Sequence, residues 1–423
     1  MFDKIVQIWK VKELRNSIFF VLAMLVIFRL AAHIPIPGVD TTDLKIFFEN
    51  NPILGFVNVF AGGGMESFSI VMMGIAPYIT ASIIFQLLAM IIPKLEEMQK
   101  EEAGRQKINM WTRYATVPLA AIQAFGMISM LRQSRAISLD SFSSFDLVSI
   151  IITITAGTVF LMWIGELISE KKIGNGISLL IFAGIVSSLP QQLSQAVLTF
   201  DQSNFVSIIA FVIVALLTVI GVVIINEGQR NIPVQYARQI RGNRAYGGTN
   251  SHLPLRVNMA GVIPIIFAIS VVMFPPMIAQ YFQHAKTVWI ANFSQWIIQV
   301  FNDQLIYAIV YFVLVFAFTY FYTEVIFHPE RIAENLQKQG GFIPGIRPGK
   351  HTSDYLAGTT YKIILVGALF LAVIAVLPLI VQALTGIQSM IIGGTSILIV
   401  VSVVIETVKQ IQAQLTMREY DGL

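Results

Sequence analysis

Long apolar runs separated by short polar segments repeat along the chain. Most runs have roughly 18 or more residues, the length that an α-helix needs to cross the hydrocarbon core of a bilayer. The fifth run is shorter and contains Gly184 and Pro190. The pattern predicts an all-α polytopic membrane protein with ten transmembrane helices, at 17–34, 74–92, 113–131, 148–168, 176–190, 205–226, 258–282, 306–327, 361–383 and 391–411.

Composition supports this fold class. Of the 423 residues, 56% are hydrophobic and only 12% are charged. Soluble domains carry roughly 25% charged residues, so a chain this poor in charge cannot cover a water-facing surface. We therefore expect the apolar side chains to face lipid. The chain has no cysteine, which rules out disulfides, thiolate metal sites and a thiol nucleophile.

Lysine and arginine are distributed unevenly between the alternating connections. With ten spans, twenty-three of the 28 basic residues fall on the side that carries both termini, four fall on the opposite side, and Arg29 lies within the first span. Because basic residues are retained on the cytoplasmic side, both termini are predicted to be cytoplasmic. Arg29 and the nine spans that follow indicate that the first run is a retained helix rather than a cleaved signal peptide.

Two of the cytoplasmic connections are long, 227–257 and 328–360. Five basic residues occur in the first, and five occur in the second when it is extended to Lys362. Such charge attracts anionic surfaces. One interpretation is that these residues only fix the topology and contact anionic headgroups. Another is that they form a docking surface for a partner.

The segment 53–73 is apolar but is interrupted by Gly62, Gly63 and Gly64, with Glu66 just beyond. It is too short to span the membrane beside 74–92. It is either an external loop or a half-helix that folds back into the bundle, where irregular backbone requires surrounding protein or a water-filled cavity.

The chain offers little for catalysis. It has no GxxxxGK[ST] nucleotide loop and no HExxH zinc motif, and its five histidines lack metal-ligand spacing. No cofactor and no metal are expected. Arg29 is a charge inside a span and so a functional candidate, although snorkelling of its side chain to the interface would also explain it. An intramembrane enzyme therefore has no support, while a channel and a secondary transporter of a small solute remain open.

Small polar residues recur within the spans, among them Thr80 and Gln86 in the second and Asn258 at the start of the seventh. They would either form interhelical hydrogen bonds or line a pathway. The residues alone do not separate these two roles.

Several strings resemble the SecY/Sec61 alpha family, and in particular its bacterial SecY members. They occur in the family's order over nearly the whole chain, so the resemblance is specific. The strings are GIAPYITASII at 74–84, FLMWIGELISEKKIGNGISLLIFAGIV at 160–186, HLPLRVNMAGVIPIIFA at 252–268, GFIPGIRPG at 341–349 and GGTS at 393–396.

The resemblance implies a protein-conducting channel. Residues 1–190, with helices 1–5, and residues 191–423, with helices 6–10, would form two pseudo-symmetric halves around a central pore. A lateral gate between helices 2–3 and 7–8 would release transmembrane segments into lipid, with Thr80, Gln86 and Asn258 as candidate gate residues. Unfolded secretory chains would cross through the pore. This function is preferred over the small-solute transporter, which should carry polar or charged ligands near the midplane.

The resemblance also places a ring of isoleucines at the pore and a plug beside it. A hydrophobic constriction dewets and blocks water and ions. The plug, a short half-helix at about 62–72, would close the pore from outside and include Gly62, Gly63, Gly64, Glu66 and Phe68. The ring falls on Ile79, Ile83, Ile181, Ile185, Ile266 and Ile399.

The resemblance further implies partners and a location. The small subunits SecE and SecG would complete a heterotrimer in the bacterial plasma membrane, and signal peptides, nascent polypeptides and membrane lipid would be in contact with the channel. The two basic loops would dock the motor ATPase SecA or the ribosome, through Arg238, Arg241, Arg244, Arg347 and Lys350. Arg347 matches an important family arginine. Arg244 matches one member of a pair that Asn243 leaves incomplete.

Overall fold

The computed structural model shows a bundle of long apolar helices with a small β-structure at one end. It describes residues 9–37, 44, 47–48, 58, 61–133, 143–198, 205–236, 238–241, 244–247, 250–283, 287–385 and 393–421. The amino-terminal helices are α1 Lys12–Ala32, α2 Ala76–Ile91, α3 Pro93–Lys100, α4 Glu102–Gln133, α5 Ser144–Glu170 and α6 Gly176–Leu198. The carboxy-terminal helices are α7 Phe205–Glu227, α8 Ile263–Phe282, α9 Val288–Asn302, α10 Gln304–Ile326, α11 Pro329–Lys338, α12 Lys350–Thr385 and α13 Gly393–Asp421.

Among the described residues, ten apolar helical segments overlap the ten predicted spans. Within the described residues, α1, α4, α5, α10 continued by α11, α12 and α13 are each long and apolar enough to cross a membrane. The pair α2–α3 adds a span that bends by 112° at the break between its helices. The other three are the shorter apolar segments Gly176–Pro190, Val212–Glu227 and Ile263–Pro276.

The outward faces of these helices are apolar. Ile152 on α5, Leu217 on α7 and Val313 on α10 are all more than half exposed. Exposing such a surface to water would cost free energy, whereas exposing it to lipid tails does not. The protein is therefore a multi-pass membrane protein, as its composition predicts.

The two groups of helices meet along two lines. Within the amino-terminal group, α1 packs on α5 and α6, and α4 packs on α2 and α5. Within the carboxy-terminal group, α10 packs on α8 and α12, and α7 packs on α13. Between the groups, α8 packs on α2 and α4, and α13 packs on α6. The centre of the bundle is thus enclosed by α2, α6, α8 and α13.

The long connections contain strands that the hydropathy pattern did not predict. They are β1 Gln229–Tyr236, β2 Arg238–Arg241, β3 Arg244–Gly247, β4 Asn250–Arg256 and β5 Gly341–Phe342. A three-stranded sheet has the order β4–β1–β5, and β2 pairs separately with β3. Because β5 belongs to the second connection, the sheet joins the two predicted loops into one unit. We call the membrane face that carries this unit the sheet side.

Residues 61–75, called here the turn segment, differ from the predicted half-helix. They form successive tight turns with no helical hydrogen-bond ladder. The backbone explains this difference, because Gly62, Gly63, Phe68 and Gly74 have φ values of 72°, 78°, 45° and 56°. Positive φ interrupts a right-handed helix and is costly for a side chain such as that of Phe68.

Candidate pore, its closure and the sheet-side surface

Five of the six predicted ring isoleucines come together at the centre of the bundle. Ile181 and Ile185 of α6, Ile266 of α8 and Ile399 of α13 are buried in one contiguous hydrophobic cluster. Ile79 of α2 packs against it. We call this whole contiguous hydrophobic cluster the central cluster. Ile83 of α2 is also buried, at 4% exposure, but lies outside this cluster.

The turn segment packs against the central cluster from the end nearest α1. Val71 and Ile75 are themselves members of that cluster. Met65, Phe68 and Met72 point the other way, into a second buried cluster that α4 and α5 complete. The segment therefore fills the space between the centre of the bundle and its outer wall.

Hydrogen bonds tie the turn segment to the end of α1. Arg29 Nη1 donates to the carbonyl oxygen of Gly62, and Ser67 Oγ donates to the carbonyl oxygen of Ala32 at 2.9 Å. Beyond the helix, the Ile36 amide donates to the carbonyl of Phe68 at 2.9 Å, and the Ile70 amide donates to that of Ile34 at 3.1 Å. Arg29 therefore binds the turn segment, and snorkelling alone does not describe it.

A glycine lets the turn segment approach the middle of α5. A Cβ placed on Gly157 would lie 1.9 Å from the carbonyl oxygen of Ile70, far inside van der Waals contact. At the other end, Asn58 Oδ1 accepts hydrogen bonds from the Met65 and Glu66 amides at 3.0 and 3.1 Å. The segment is thus held from three directions.

The three gate candidates have different surroundings. Thr80 of α2 accepts a hydrogen bond from Gln123 Nε2 of α4 at 3.4 Å, a contact within one group of helices. Asn258 precedes α8 and donates to Asn226 Oδ1 at 2.7 Å. Asn226 in turn donates to Ser402 Oγ at 2.7 Å, so this network stays within the carboxy-terminal group. Thr80 thus makes an interhelical hydrogen bond, and Asn258 links the connection before α8 to α7.

Gln86, the third candidate, faces the other group of helices. It lines a cleft of about 500 Å³ between α2, α3 and α4 on one side and α10 and α11 on the other. Tyr322 of α10 and Arg331 of α11 lie on the opposite wall. The cleft lies toward the sheet side of the α2–α8 contact, so it adjoins the line along which the two groups could separate.

A small hydrophobic core supports the sheet-side surface. Ile232 of β1 and Leu255 of β4 pack there with Leu336 of α11, Ile343 after β5 and Leu356 of α12. The residues that follow Ile343 turn sharply, since Gly345 and Gly349 have φ values of 82° and 93°.

This turn presents Arg347 to solvent, and Lys350 at the start of α12 is exposed as well. The Arg347 carbonyl accepts a hydrogen bond from Thr352 Oγ1 at 3.0 Å, which fixes the turn against α12. The exposed Arg347 side chain therefore stands on a fixed backbone.

The other predicted docking residues lie on the β2–β3 ribbon. Arg238 is in β2, and the backbones of Arg241 and Arg244 pair with each other where the two strands meet. Their side chains are outside the described part of the structure. Lys338 nearby on α11 forms a 2.7 Å ion pair with Glu334, which holds the pKa of that carboxyl below its usual value. The Lys338 charge is thus compensated locally.

Sequence reasoning missed several contacts of the site. The partners of Arg29, the close approach at Gly157 and the role of Gln123 depend on which helices become neighbours. It also overlooked the strands, although β1 alternates buried Ile232 and Val234 with exposed neighbours. That period of two was a signal for β-structure.

Comparison with known proteins identifies the family of this chain. The profile of the SecY family matches residues 69–408, which is most of the chain. The chain belongs to the SecY family. The protein translocase subunit SecY of Halalkalibacterium halodurans is 44% identical over 100% of this chain and 99% of its own length. The SecY subunit of Bacillus subtilis is also 44% identical, with the same coverage.

Solved SecY-family structures share the fold. A protein-conducting channel superposes with a TM-score of 0.63 at 18% identity, covering 93% of this chain and 91% of that one. A SecY protein whose plug domain stabilises the closed state gives 0.60 at 19% identity with the same coverage. Sec61 in a canine ribosome–channel complex gives 0.59 at 18% identity, again with the same coverage. At these identities the likeness shows the fold alone.

Proposed function

We propose that this SecY-family chain is the central subunit of a protein-conducting channel. It would pass unfolded secretory polypeptides across the membrane and release transmembrane segments sideways into lipid. One observation carries the proposal: isoleucines from α2, α6, α8 and α13 converge on a central cluster that the turn segment contacts directly. A substrate site for a small solute would instead place polar or charged ligands at this position.

The central cluster acts as the seal of the pore. Ile79, Ile181, Ile185, Ile266 and Ile399 form its constriction, with Ile83 one helical turn further along α2. Apolar walls this close exclude water and therefore ions. They also offer a passing chain no hydrogen bonds or charges to hold it. Their side chains can close around polypeptides of varied shape, because dispersion contacts have no fixed direction.

The turn segment acts as the plug. It occupies one side of the central cluster and is held by backbone and side-chain hydrogen bonds rather than by an uninterrupted helix. Each of these bonds contributes only about 1 kcal/mol. A polypeptide that enters the pore can displace the segment without unfolding a helix or separating the membrane spans.

The line between α2 and α4 on one side and α8 on the other acts as the lateral gate. The cleft lined by Gln86, Tyr322 and Arg331 opens beside it. Separation of these helices would connect the central cluster with lipid. An apolar segment in the pore could then move into the bilayer, where its side chains are more stable.

Partners would supply the energy and the substrate. The chain has no nucleotide-binding loop, so we infer that a motor ATPase or a translating ribosome docks at the sheet side. The exposed Arg347 and Lys350 favour such docking through charge. Two small subunits, SecE and SecG, would complete the complex in the bacterial plasma membrane. The sheet side and both termini would be cytoplasmic.

Site-directed crosslinking tests this proposal. Because the sequence has no cysteine, an introduced cysteine is the only thiol in this chain. Ile266→Cys in the complex reconstituted with its small subunits should crosslink to a cysteine in the translocating part of a stalled secretory precursor. Ile224→Cys, on a lipid-facing position of α7, is the matched control and should not. Equal crosslinking at the two positions, or at neither in a folded complex, would refute a path through the central cluster.

A further inference from the structure

Helix α9 is an amphipathic segment that the hydropathy pattern did not predict. Its sequence, VWIANFSQWIIQVFN, contains no charged residue. Trp289, Phe293 and Trp296 form a continuous stack, with ring centroids 5.9 Å apart in both pairs and interplanar angles of 9° and 22°. The stack follows one face of the helix, because its members are four and three residues apart.

The two faces of α9 differ sharply. Ser294 is buried, and Phe301 packs against the central cluster. The stacked aromatic residues are exposed, with 74% of Trp289 and 58% of Trp296 accessible. Asn292, Gln295 and Gln299 are exposed beside them. The free face is therefore an aromatic ridge with uncharged polar groups along its edges.

The position of α9 follows from its neighbours. It connects the end of α8 to the beginning of α10, and it packs on both. Since α8 begins next to the sheet and α10 returns to it, α9 lies at the membrane face opposite the sheet side. The exposed Phe282 of α8 and Leu305 of α10 flank it. The aromatic ridge is thus continuous with the lipid-facing surface of these two spans.

We propose that α9 lies in the boundary between headgroups and acyl chains of the leaflet opposite the sheet side, with its aromatic ridge in contact with lipid. Tryptophan prefers this zone, where its ring meets apolar chains while its N–H reaches polar groups. Asparagine and glutamine at the edges of the ridge can meet headgroups and water. The helix would fix the outer ends of α8 and α10 relative to the membrane while α8 moves at the gate.

Tryptophan fluorescence in lipid vesicles tests the proposal without any transport assay. The reporter retains only Trp296, through Trp9→Phe, Trp111→Phe, Trp163→Phe and Trp289→Phe. A second reporter retains only Trp289. The vesicles contain phosphatidylcholine and phosphatidylglycerol, with bromine placed either near the headgroup or near the chain ends. A third reporter retains only Trp163, which is 55% exposed on α5 and should report lipid within a span.

Both α9 reporters should emit at shorter wavelength than tryptophan in water. They should lose more intensity to bromine near the headgroup than to bromine near the chain ends, and relatively more so than the Trp163 reporter does. Phe293→Asp in the Trp296 reporter should shift emission to longer wavelength and reduce quenching by lipid.

Three results would overturn the proposal. Quenching by aqueous iodide but not by brominated lipid would place the ridge in water. Resistance to both would mean that another protein chain covers it. Strongest quenching by bromine near the chain ends would place the helix deeper than the boundary.

Discussion

Arg29 combines the cost of a charge in the membrane with a specific contact. Intramembrane charges are expensive and usually have a function. Its guanidinium donates to the Gly62 carbonyl, at the first turn of the turn segment. The sequence marked Arg29 as a candidate but could not name its partner, because Gly62 is 33 residues away, beyond the reach of a local pattern.

We expect Arg29→Gln to increase ion conductance through the resting channel. A hydrogen bond to a charged group contributes about 1.5–3 kcal/mol when buried. Because Arg29 is only partly buried, we expect about 1 kcal/mol, or about a fivefold larger population of the displaced turn segment. Planar-bilayer recordings without substrate measure this. Lys12→Gln, an exposed position on the same helix, is the control. Equal conductance in both variants would remove Arg29 from the closure.

The role of the ring isoleucines could not be predicted from the individual residues. Isoleucine is common in every membrane span, and nothing in its immediate sequence separates a pore position from a packing position. Only the order of the family strings placed Ile181, Ile266 and Ile399 together. The structure brings them into one buried cluster. A substitution at any one of them therefore tests the proposed seal.

Ile181→Ser should hydrate the constriction and raise the resting conductance, whereas Ile181→Leu should leave it near the wild-type value. Serine offers water a hydrogen-bonding surface where isoleucine offers none, and leucine keeps the volume and the apolar character. The same bilayer recordings compare the two. Equal resting conductance in the serine and leucine variants would contradict a seal based on dewetting.

At the scale of elements, the hydropathy pattern predicted the membrane-spanning helices. Each span must satisfy its own backbone in the membrane, so long apolar runs become helices. Glycine and asparagine at 174–176 are typical of a turn, and Ser169 Oγ accepts from the Gly176 amide there at 2.9 Å. The turn segment was not predictable, since three adjacent glycines allow a loop, a half-helix or successive turns. Strand β5 lies about a hundred residues after its partner β1, beyond the reach of a local pattern.

Gly157→Ala should displace the turn segment and raise the resting conductance. The added Cβ would meet the Ile70 carbonyl at 1.9 Å, and backbone cannot yield as a side chain can. Gly358→Ala on α12 is the matched control, because no atom lies within 4 Å of its added Cβ. Thermal unfolding of both variants separates displacement from global loss of structure. A Gly157→Ala channel as tight as wild type would show that the turn segment moves without loss of the seal.

Arg347→Glu should weaken binding of the cytoplasmic partner about tenfold, or about 1.4 kcal/mol. Reversing an exposed charge on the proposed docking surface would replace attraction by repulsion. Lys338→Glu should have a smaller effect, because Glu334 already compensates that charge. Binding of the purified motor ATPase to the channel in vesicles, measured at two salt concentrations, distinguishes them. If both reversals weaken binding equally, general surface charge and not Arg347 governs docking.

At the scale of the whole molecule, two groups of helices share an apolar, buried centre. The α8 contacts with α2 and α4 form one seam, and the α6–α13 contact forms another. In the proposed mechanism, the first seam opens while the second holds the groups together. Composition predicted a membrane protein, and the alternation of basic residues between connections predicted which side of the membrane carries the termini. The arrangement of the groups needed the fold, because no local property of a span says which others it packs against.

Protease protection tests the central claim that this chain conducts polypeptides. The protein and its small subunits, in vesicles with the motor ATPase, ATP and an unfolded precursor, should protect the precursor from added protease. Protection should require ATP and the signal sequence, and it should fall when Arg347 is changed to Glu. No protection in a preparation shown to be folded would contradict the account and would reopen the search for a small solute.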